Sequence, residues 1–212
     1  MAGLVHIVDD DVSFRTAIER RLKKAGYEVA THPSAQHLLD SLPSGDELSC
    51  ILLDVRIPGL SGPELQERLS ELGSTLPIVF LSGYADVQTT VRAIKAGAED
   101  FLTKPISSED LIAAVERALA HQLAARGQRD ELDTVRAHIA RLTPREREVF
   151  ELVIRGKTNK QVGRVLGATE RTIKAHRHRV MEKMQVQSLA ELVSVAERAG
   201  ILRDLSGAGQ TN

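Results

Sequence analysis

Cys50-Ile-Leu-Leu-Asp-Val-Arg-Ile-Pro-Gly59 is the stretch from which the fold follows. Cys50 to Leu53 form a short apolar run without alternation, the pattern of a strand buried on both faces. The run meets a carboxylate, Asp54. Val55 to Gly59 then turn the chain away, with Pro58-Gly59 as the turn signal. Strands buried on both faces belong to open parallel sheets, where ligands bind beyond the carboxyl ends of the strands. An Asp in that place is either a loop residue or a reactive group, and its neighbours decide between the two.

Working outward, Leu4–Val8 reads as a first strand, ending in Asp9-Asp10-Asp11. Phe14, Ile18, Leu22 and Ala25 recur at helical spacing, and Gly26 stops that helix. Tyr27–Thr31 reads as a second strand, Ser34 as the cap of a helix through Leu42, and Pro43–Asp46 as loop. Beyond the opening stretch, Pro63 starts a helix that ends near Gly73. Ile78–Ser82 is a fourth strand. Asp86 caps a helix carrying Val87, Val91 and Ile94 and closing at Gly97. Asp100–Thr103 is a fifth strand, Lys104-Pro105 follows, and Ser107 or Ser108 caps a helix through Leu111, Val115 and Leu119. Strands alternating with helices in this way predict an α/β domain, a doubly wound parallel sheet with right-handed crossovers.

The composition narrows the class. A chain of 212 residues with 42% hydrophobic content can bury one large or two modest cores. No apolar run approaches the ~18 residues of a membrane span, and no basic stretch followed by an apolar segment opens the chain. Cys50 is the only cysteine, which excludes an intrachain disulfide and a cysteine-built zinc site. A soluble cytoplasmic protein without membrane partners is the expectation. The net charge of −1 conceals an asymmetry. Residues 1–120 carry 11 Lys and Arg against 18 Asp and Glu, a net of −7; residues 121–212 carry 17 against 11, a net of +6. An acidic half joined to a basic half predicts two jobs, with nucleic acid as the partner of the basic one.

Asp9, Asp10, Asp54, Ser82 and Lys104 all stand at or just past the carboxyl end of a predicted strand. Taken singly, each has an ordinary reading: a turn former, a helix cap, a surface charge. A doubly wound sheet gathers them at one edge. Three carboxylates in one pocket repel unless a cation intervenes, and a hard oxygen site suits Mg2+. A carboxylate can act as nucleophile and form an acyl phosphate. An ammonium and a hydroxyl could then hold the phosphoryl oxygens.

Residues 121–141 are polar and charged with one glycine, Gly127. They read as an extension of the fifth helix, interrupted near Gly127, then a second helical segment. After them come four short helices. Thr143-Pro144-Arg145-Glu146 opens the first with a cap, a first-turn proline and a capping-box glutamate, and Val149, Leu152 and Val153 face inward. Thr158 caps the second, with Val162, Val165 and Leu166 inward. Gly167-Ala168 turns into the third, Glu170–Met184, capped by Thr169, with Ile173, Val180 and Met184 on one face. Ser188 caps the fourth, Leu189–Ala199, and Gly200 ends it. Two short helices joined by a glycine-containing turn predict a helix-turn-helix. From Lys157 to Lys183 there are eight Lys and Arg against two Glu. A charge run is usually a solvated face, but Arg171, Lys174, Arg177 and His178 load one helix with the footprint of a duplex reader.

Asp9-Asp10, Asp54, Ser82, Phe101 and Lys104-Pro105 together resemble the receiver domain of bacterial response regulators. Leu142-Thr-Pro-Arg-Glu-Arg-Glu148, Asn159-Lys160, Arg171-Thr-Ile-Lys-Ala-His-Arg177 and Lys183-Met184 resemble the LuxR-type four-helix DNA-binding domain. The whole chain is similar to NarL/FixJ-class two-component response regulators. The resemblance implies a flavodoxin-like (βα)5 receiver over residues 1–120, a mostly helical linker over 121–141, an all-α DNA-binding domain over 142–203 and a disordered tail over 204–212. It implies phosphorylation of Asp54 by a sensor histidine kinase. It implies Mg2+ on Asp10, Asp54 and the Arg56 backbone carbonyl, with Asp9 acting partly through water. Lys104 would pair with the phosphoryl group, Ser82 and Phe101 would switch, and the bond before Pro105 would be cis. Lys174, Ala175 and His178 would face base edges of promoter DNA, and Arg171, Arg177, Asn159 and Thr158 would hold phosphates. Receivers would form a homodimer on phosphorylation through a face including Val91 and Lys95, the last helix would pair subunits on DNA, and RNA polymerase would be a further partner. Dimerisation pairing the DNA-binding domains and release of an inhibitory contact both stay open as routes of activation. Gly163 departs from the family's usual alanine, at roughly 1 kcal/mol of helix stability. Two other functions compete. An aspartyl-phosphate phosphatase would want a second Asp two residues after the nucleophile, where this chain has Arg56. A constitutive DNA-binding protein with a silent receiver would not need the acidic pair.

Overall fold

The computed structural model describes residues 3–42, 47–83 and 87–201, in two compact units, 1–126 and 127–212. The expected loop at Pro43–Asp46, the cap at Asp86 and the tail at 204–212 lie outside the described residues.

The first unit is a parallel sheet of β1 (Leu4–Val8), β2 (Glu28–His32), β3 (Ser49–Asp54), β4 (Ile78–Ser82) and β5 (Asp100–Thr103), in the order β2-β1-β3-β4-β5. The helices are α1 (Val12–Lys24), α2 (Ala35–Asp40), α3 (Gly62–Glu71), α4 (Val87–Lys95) and α5 (Ser108–Ala140). This is the flavodoxin-like order, and the chain reverses direction across the sheet between β1 and β3. The alternation of β3 explains its sequence. Cys50 and Leu52 pack with Ile18 and Leu22 of α1 and with Leu111 and Val115 of α5. Ile51 and Leu53 pack on the opposite face with Leu38 of α2 and Leu65 and Leu69 of α3. All four are fully buried, so each face needed an apolar residue.

Local chemistry sets the helix starts. Asp11 caps α1 by accepting from the Ser13 and Phe14 N–H groups. Ser34 caps α2 by accepting from the His37 N–H at 3.2 Å. At α3, the Glu64 carboxylate reaches back to the Ser61 N–H at 2.8 Å. Ser107 caps α5 by accepting from the Asp110 N–H at 2.9 Å.

His6 of β1 and His32 of β2 are both buried, and their ring nitrogens lie 3.0 Å apart. Burial lowers the pKa of His6. Burial, with the neighbouring His6 and His37 rings, holds His32 down to about 4, so both rings are neutral at pH 7.

α5 is one helix of 33 residues. The expected break near Gly127 does not occur. Glycine costs a helix about 1 kcal/mol but leaves the backbone hydrogen bonds intact, and the flanking residues are good helix formers. Val135 and Ile139 of this helix join the core of the second unit.

That core is completed by α6 (Pro144–Ile154), α7 (Asn159–Leu166), α8 (Glu170–Lys183) and α9 (Leu189–Arg198). Val149, Phe150, Val153, Val162, Ile173 and Val180 fill it. Two expectations fail. Val165 is 64% exposed, because the eight-residue α7 turns only a narrow stripe inward around Val162. Leu152 is half-buried at the margin, and Phe150 takes the central place instead. Gly163 does not loosen α7. A Cβ there would lie 2.7 Å from the Ala168 carbonyl oxygen, while the Gly163 carbonyl accepts from the Ala168 N–H at 2.9 Å. The tight turn through Gly167, in the left-handed region at φ 63°, folds the chain against this point.

Candidate functional site

Four strand ends gather a cluster of polar side chains at the carboxyl edge of the sheet. β1 delivers Asp9, fully buried; β3 delivers Asp54; β4 delivers Ser82, also buried; and the chain leaving β5 delivers Lys104. The Lys104 ammonium donates to Asp9 Oδ2 at 2.6 Å and also to Asp54 Oδ2. Two carboxylates from strands adjacent in the sheet thus converge on one cation. The other oxygen of each is also held. Asp9 Oδ1 accepts from the Asp11 N–H, and Asp54 Oδ1 from the Arg56 N–H, each at 2.8 Å.

Burial pushes the Asp9 carboxyl upward, against the opposing pull of Lys104. Burial alone would lower the Lys104 pKa, but its hydrogen bonds and charge contacts with Asp54 and Asp9 outweigh this and raise it. The lysine is therefore held as the charged form.

The lysine is itself positioned. Its N–H donates to the Ser82 carbonyl at 2.7 Å, and the Lys104–Pro105 bond is cis. Its ammonium sits 3.8 Å from the centroid of the Phe14 ring, a cation–π contact. Arg15 donates to the Asp9 backbone carbonyl. Phe101 is half-buried on β5, its ring 6.3 Å from that of Phe80. Asp10 is exposed. Among the described residues no three His, Cys, Asp or Glu side chains stand close enough together to hold a metal ion. The Asp9 and Asp54 oxygens nonetheless form a hard donor set that already gathers around a positive charge, which fits Mg2+ chemistry.

Three contributors are absent from the sequence reading. Phe14 enters it only as one residue of the apolar face of α1, and Arg15 is not singled out there. Gly62 is not singled out either, yet a Cβ there would lie 2.5 Å from the Asp54 carbonyl oxygen and 2.9 Å from the Phe80 ring. α3 can pass under the end of β3 only because Gly62 has no side chain.

In the second unit, α7 and α8 meet at the Gly167-Ala168 turn. Ile173 and Val180 bury one face of α8, and Arg171, Lys174, Ala175 and His178 stand exposed on the other. Arg177 is half-buried and donates to Asn159 Oδ1 at 3.1 Å, which ties α8 to the start of α7. Thr158 caps α7 by accepting from the Gln161 N–H at 3.3 Å. At the far end of α8, Lys183 donates to Glu146 Oε2 at 2.6 Å and to the Arg141 carbonyl at 3.1 Å. On the first unit, α4 exposes Val91 and Lys95, with Ile94 beside them.

Residues 5–116 match the family model of the response regulator receiver domain, and residues 140–196 match that of the bacterial regulatory proteins of the luxR family. The transcriptional regulatory protein FixJ of Bradyrhizobium diazoefficiens is 41% identical over 202 residues, covering 95% of this chain and 98% of that protein. Among solved structures, the response regulator StyR is 41% identical with a TM-score of 0.83, covering 93% of this chain and all of that one. Full-length FixJ from B. japonicum is 40% identical with a TM-score of 0.58, covering 94% of this chain and 98% of that one. No helix among the described residues is long and apolar enough to cross a membrane.

Proposed function

The chain belongs to the response regulators that join a receiver domain to a LuxR-type DNA-binding domain, and from that premise we propose which of its residues carry each step. The protein is a phosphorylation-dependent regulator of transcription, partnered by a sensor kinase and by DNA. Proteins of this build are typically not enzymes.

Asp54 is the phosphoacceptor. A carboxylate oxygen attacks the phosphorus of a kinase phosphohistidine protonated on its other ring nitrogen, the P–N bond breaks with its electron pair going to nitrogen, and neutral imidazole leaves. The product is an acyl phosphate. The observation that carries this reading is the convergence of Asp9 and Asp54 on the Lys104 ammonium at the sheet edge. Once Asp54 is phosphorylated, Lys104 pairs with phosphoryl oxygens in place of the carboxylate oxygen it now holds.

Receiver domains generally bind Mg2+ at the phosphorylation site. Here Asp10, Asp54 and the Arg56 carbonyl would hold it, with Asp9 acting partly through water. The ion would supply charge neutralisation for the incoming phosphoryl group. The Ser82 hydroxyl then moves toward the phosphoryl oxygens, and Phe101 turns inward behind it. The changed face, including Val91 and Lys95 on α4, pairs two receivers.

In the second unit, Lys174, Ala175 and His178 read base edges in the major groove. Arg171, Arg177, Asn159 and Thr158 hold phosphates, with the Arg177–Asn159 bond supporting that grouping. Ala175 has no donor and reads at most a thymine methyl. α9 pairs subunits on promoter DNA, and RNA polymerase is the downstream partner.

Treatment with acetyl phosphate and Mg2+ tests the scheme, followed by phosphate-affinity electrophoresis and binding to promoter DNA selected from genomic fragments. The wild type should gain one acid-stable, hydroxylamine-labile phosphoryl group and bind DNA more tightly. Asp54→Asn should do neither. Equal labelling of the variant, or DNA binding indifferent to labelling, overturns the proposal.

A further inference from the structure

Three imidazoles run from the interior of the first unit to its surface. His6 Nδ1 lies 3.0 Å from His32 Nε2, and His32 Nδ1 lies 3.0 Å from His37 Nδ1. His6 and His32 are buried, while His37 is exposed on α2. His6 Nε2 is buried and has no hydrogen-bond partner. The function proposed above uses none of these rings.

We propose that His32 and His37 form a binding site for one divalent transition metal ion of the Cu2+, Ni2+ or Zn2+ class, with His6 as the outer support of His32. Two imidazole nitrogens bound at about 2.0–2.1 Å are about 2.9 Å apart at the right angle of a tetragonal Cu2+ or Ni2+ site, and about 3.3 Å apart on tetrahedral Zn2+. The two Nδ1 atoms stand at 3.0 Å. The separation is already that of a chelating pair, and binding turns the two rings so that both lone pairs aim at the ion instead of one at the other. Imidazole is the ligand these borderline metals prefer over the oxygen donors that suit Mg2+.

The supports are also in place. His32 ends β2 and His37 sits in the first turn of α2, so both ligands ride on regular elements. Metal-bound histidine commonly fixes its ring by donating the remaining N–H, and His32 Nε2 faces His6 Nδ1 for that purpose. The proton count balances without loss. Each neutral ring keeps one proton: His32 moves its own to Nε2, His6 to Nε2, and His37 keeps Nε2–H toward solvent.

Ser41 Oγ lies 3.4 Å from His32 Nδ1 and donates to the His37 carbonyl at 2.7 Å, which leaves its lone pairs available as a third, weak donor. Water would complete the shell. His37 and Ser41 are exposed, so an ion reaches the site directly from solvent.

The full chain, free of any affinity tag, is titrated calorimetrically with Cu2+, Ni2+ and Zn2+ in excess Mg2+, beside Asp54→Asn, whose unchanged titration excludes the acidic pocket as the site. One ion should bind per chain, Cu2+ tightest. His37→Ala, an exposed change that leaves the circular dichroism unaltered, should weaken binding at least tenfold. His6→Gln should weaken it by about tenfold through the ring it supports. His121→Ala, which removes an exposed histidine placed against Glu99 and outside the row of rings, should change nothing. Electron paramagnetic resonance of the Cu2+ form should show two coupled nitrogens in the wild type and fewer in His37→Ala. Absence of stoichiometric binding, or wild-type binding by His37→Ala, reduces the cluster to a hydrogen-bonded row of neutral rings and overturns the proposal.

Discussion

A Cβ added at Gly62 would stand 2.5 Å from the Asp54 carbonyl oxygen, a backbone atom that cannot swing away. Gly62→Ala therefore shifts either α3 or the end of β3. Overpacking of this kind costs about 1–3 kcal/mol, read as a lowered urea midpoint. Labelling by acetyl phosphate should fall by more than stability alone explains, because Asp54 itself is displaced. Glu146 makes a different prediction. Its hydrogen bond to Lys183, with those from Thr143, holds its pKa at about 2, against an ordinary 4.5. The folded value is depressed, so the stabilisation is complete above the unfolded value and is lost as pH falls from about 4.5 towards 2. Urea midpoints of the wild type should drop over that window more steeply than those of Glu146→Gln, measured with a probe in the second unit. Glu146 was legible as a capping-box residue because its partner, Thr143, is three positions away. Lys183 lies 37 residues downstream, and no local pattern announces it.

At the scale of elements, α7 is the shortest of α6 to α9, at eight residues, and it carries a glycine in its interior. Propensity alone predicts that Gly163→Ala stabilises it by roughly 1 kcal/mol. The 2.7 Å approach to the Ala168 carbonyl predicts the opposite sign. Thermal denaturation should show Gly163→Ala lowering the transition of the second unit, with DNA affinity falling as the α7–α8 turn opens. Helix starts were legible because a Ser, Thr or Asp cap is a contact within three residues: Asp11, Ser34, Thr143, Thr158, Thr169 and Ser188 all accept from the first turn they precede. Strand identity in β3 was legible because burial on both faces removes alternation. The inward stripe of α7 was not, since eight residues at 3.6 per turn leave Val162, Val165 and Leu166 nearly equivalent by spacing, and only the packing of α8 separates them. The pocket was legible as a gathering of strand ends. Its second layer, Phe14, Arg15 and Gly62, was not, because each contributes by a close approach that its own neighbours in sequence do not encode.

For the molecule as a whole, the division of charge assigns the work. The N-terminal 120 residues carry a net −7, and the remainder a net +6 that concentrates along α7 and α8. Binding through such a surface releases counterions, so affinity should fall steeply with salt. Arg177→Ala should weaken binding to all sequences alike and lower the salt slope by about one. Lys174→Ala should instead narrow the gap between selected and random DNA. Fluorescence anisotropy across a salt series distinguishes the two, and normal binding by both variants would discard the docking arrangement.

Cys50 offers a last consequence. It is the chain's single thiol, it has no exposed surface, and burial pushes its pKa up to about 12. Thiolate chemistry is therefore closed to it while the sheet is intact. Any alkylation of the native protein must pass through an opening that parts β3 from α1 and α5. The rate of that reaction counts those openings one unit at a time, with no label added and no background from elsewhere in the chain. Phosphorylation of Asp54, at the other end of the same strand, should slow the count if it tightens the unit, and leave it unchanged if it acts only on the surface.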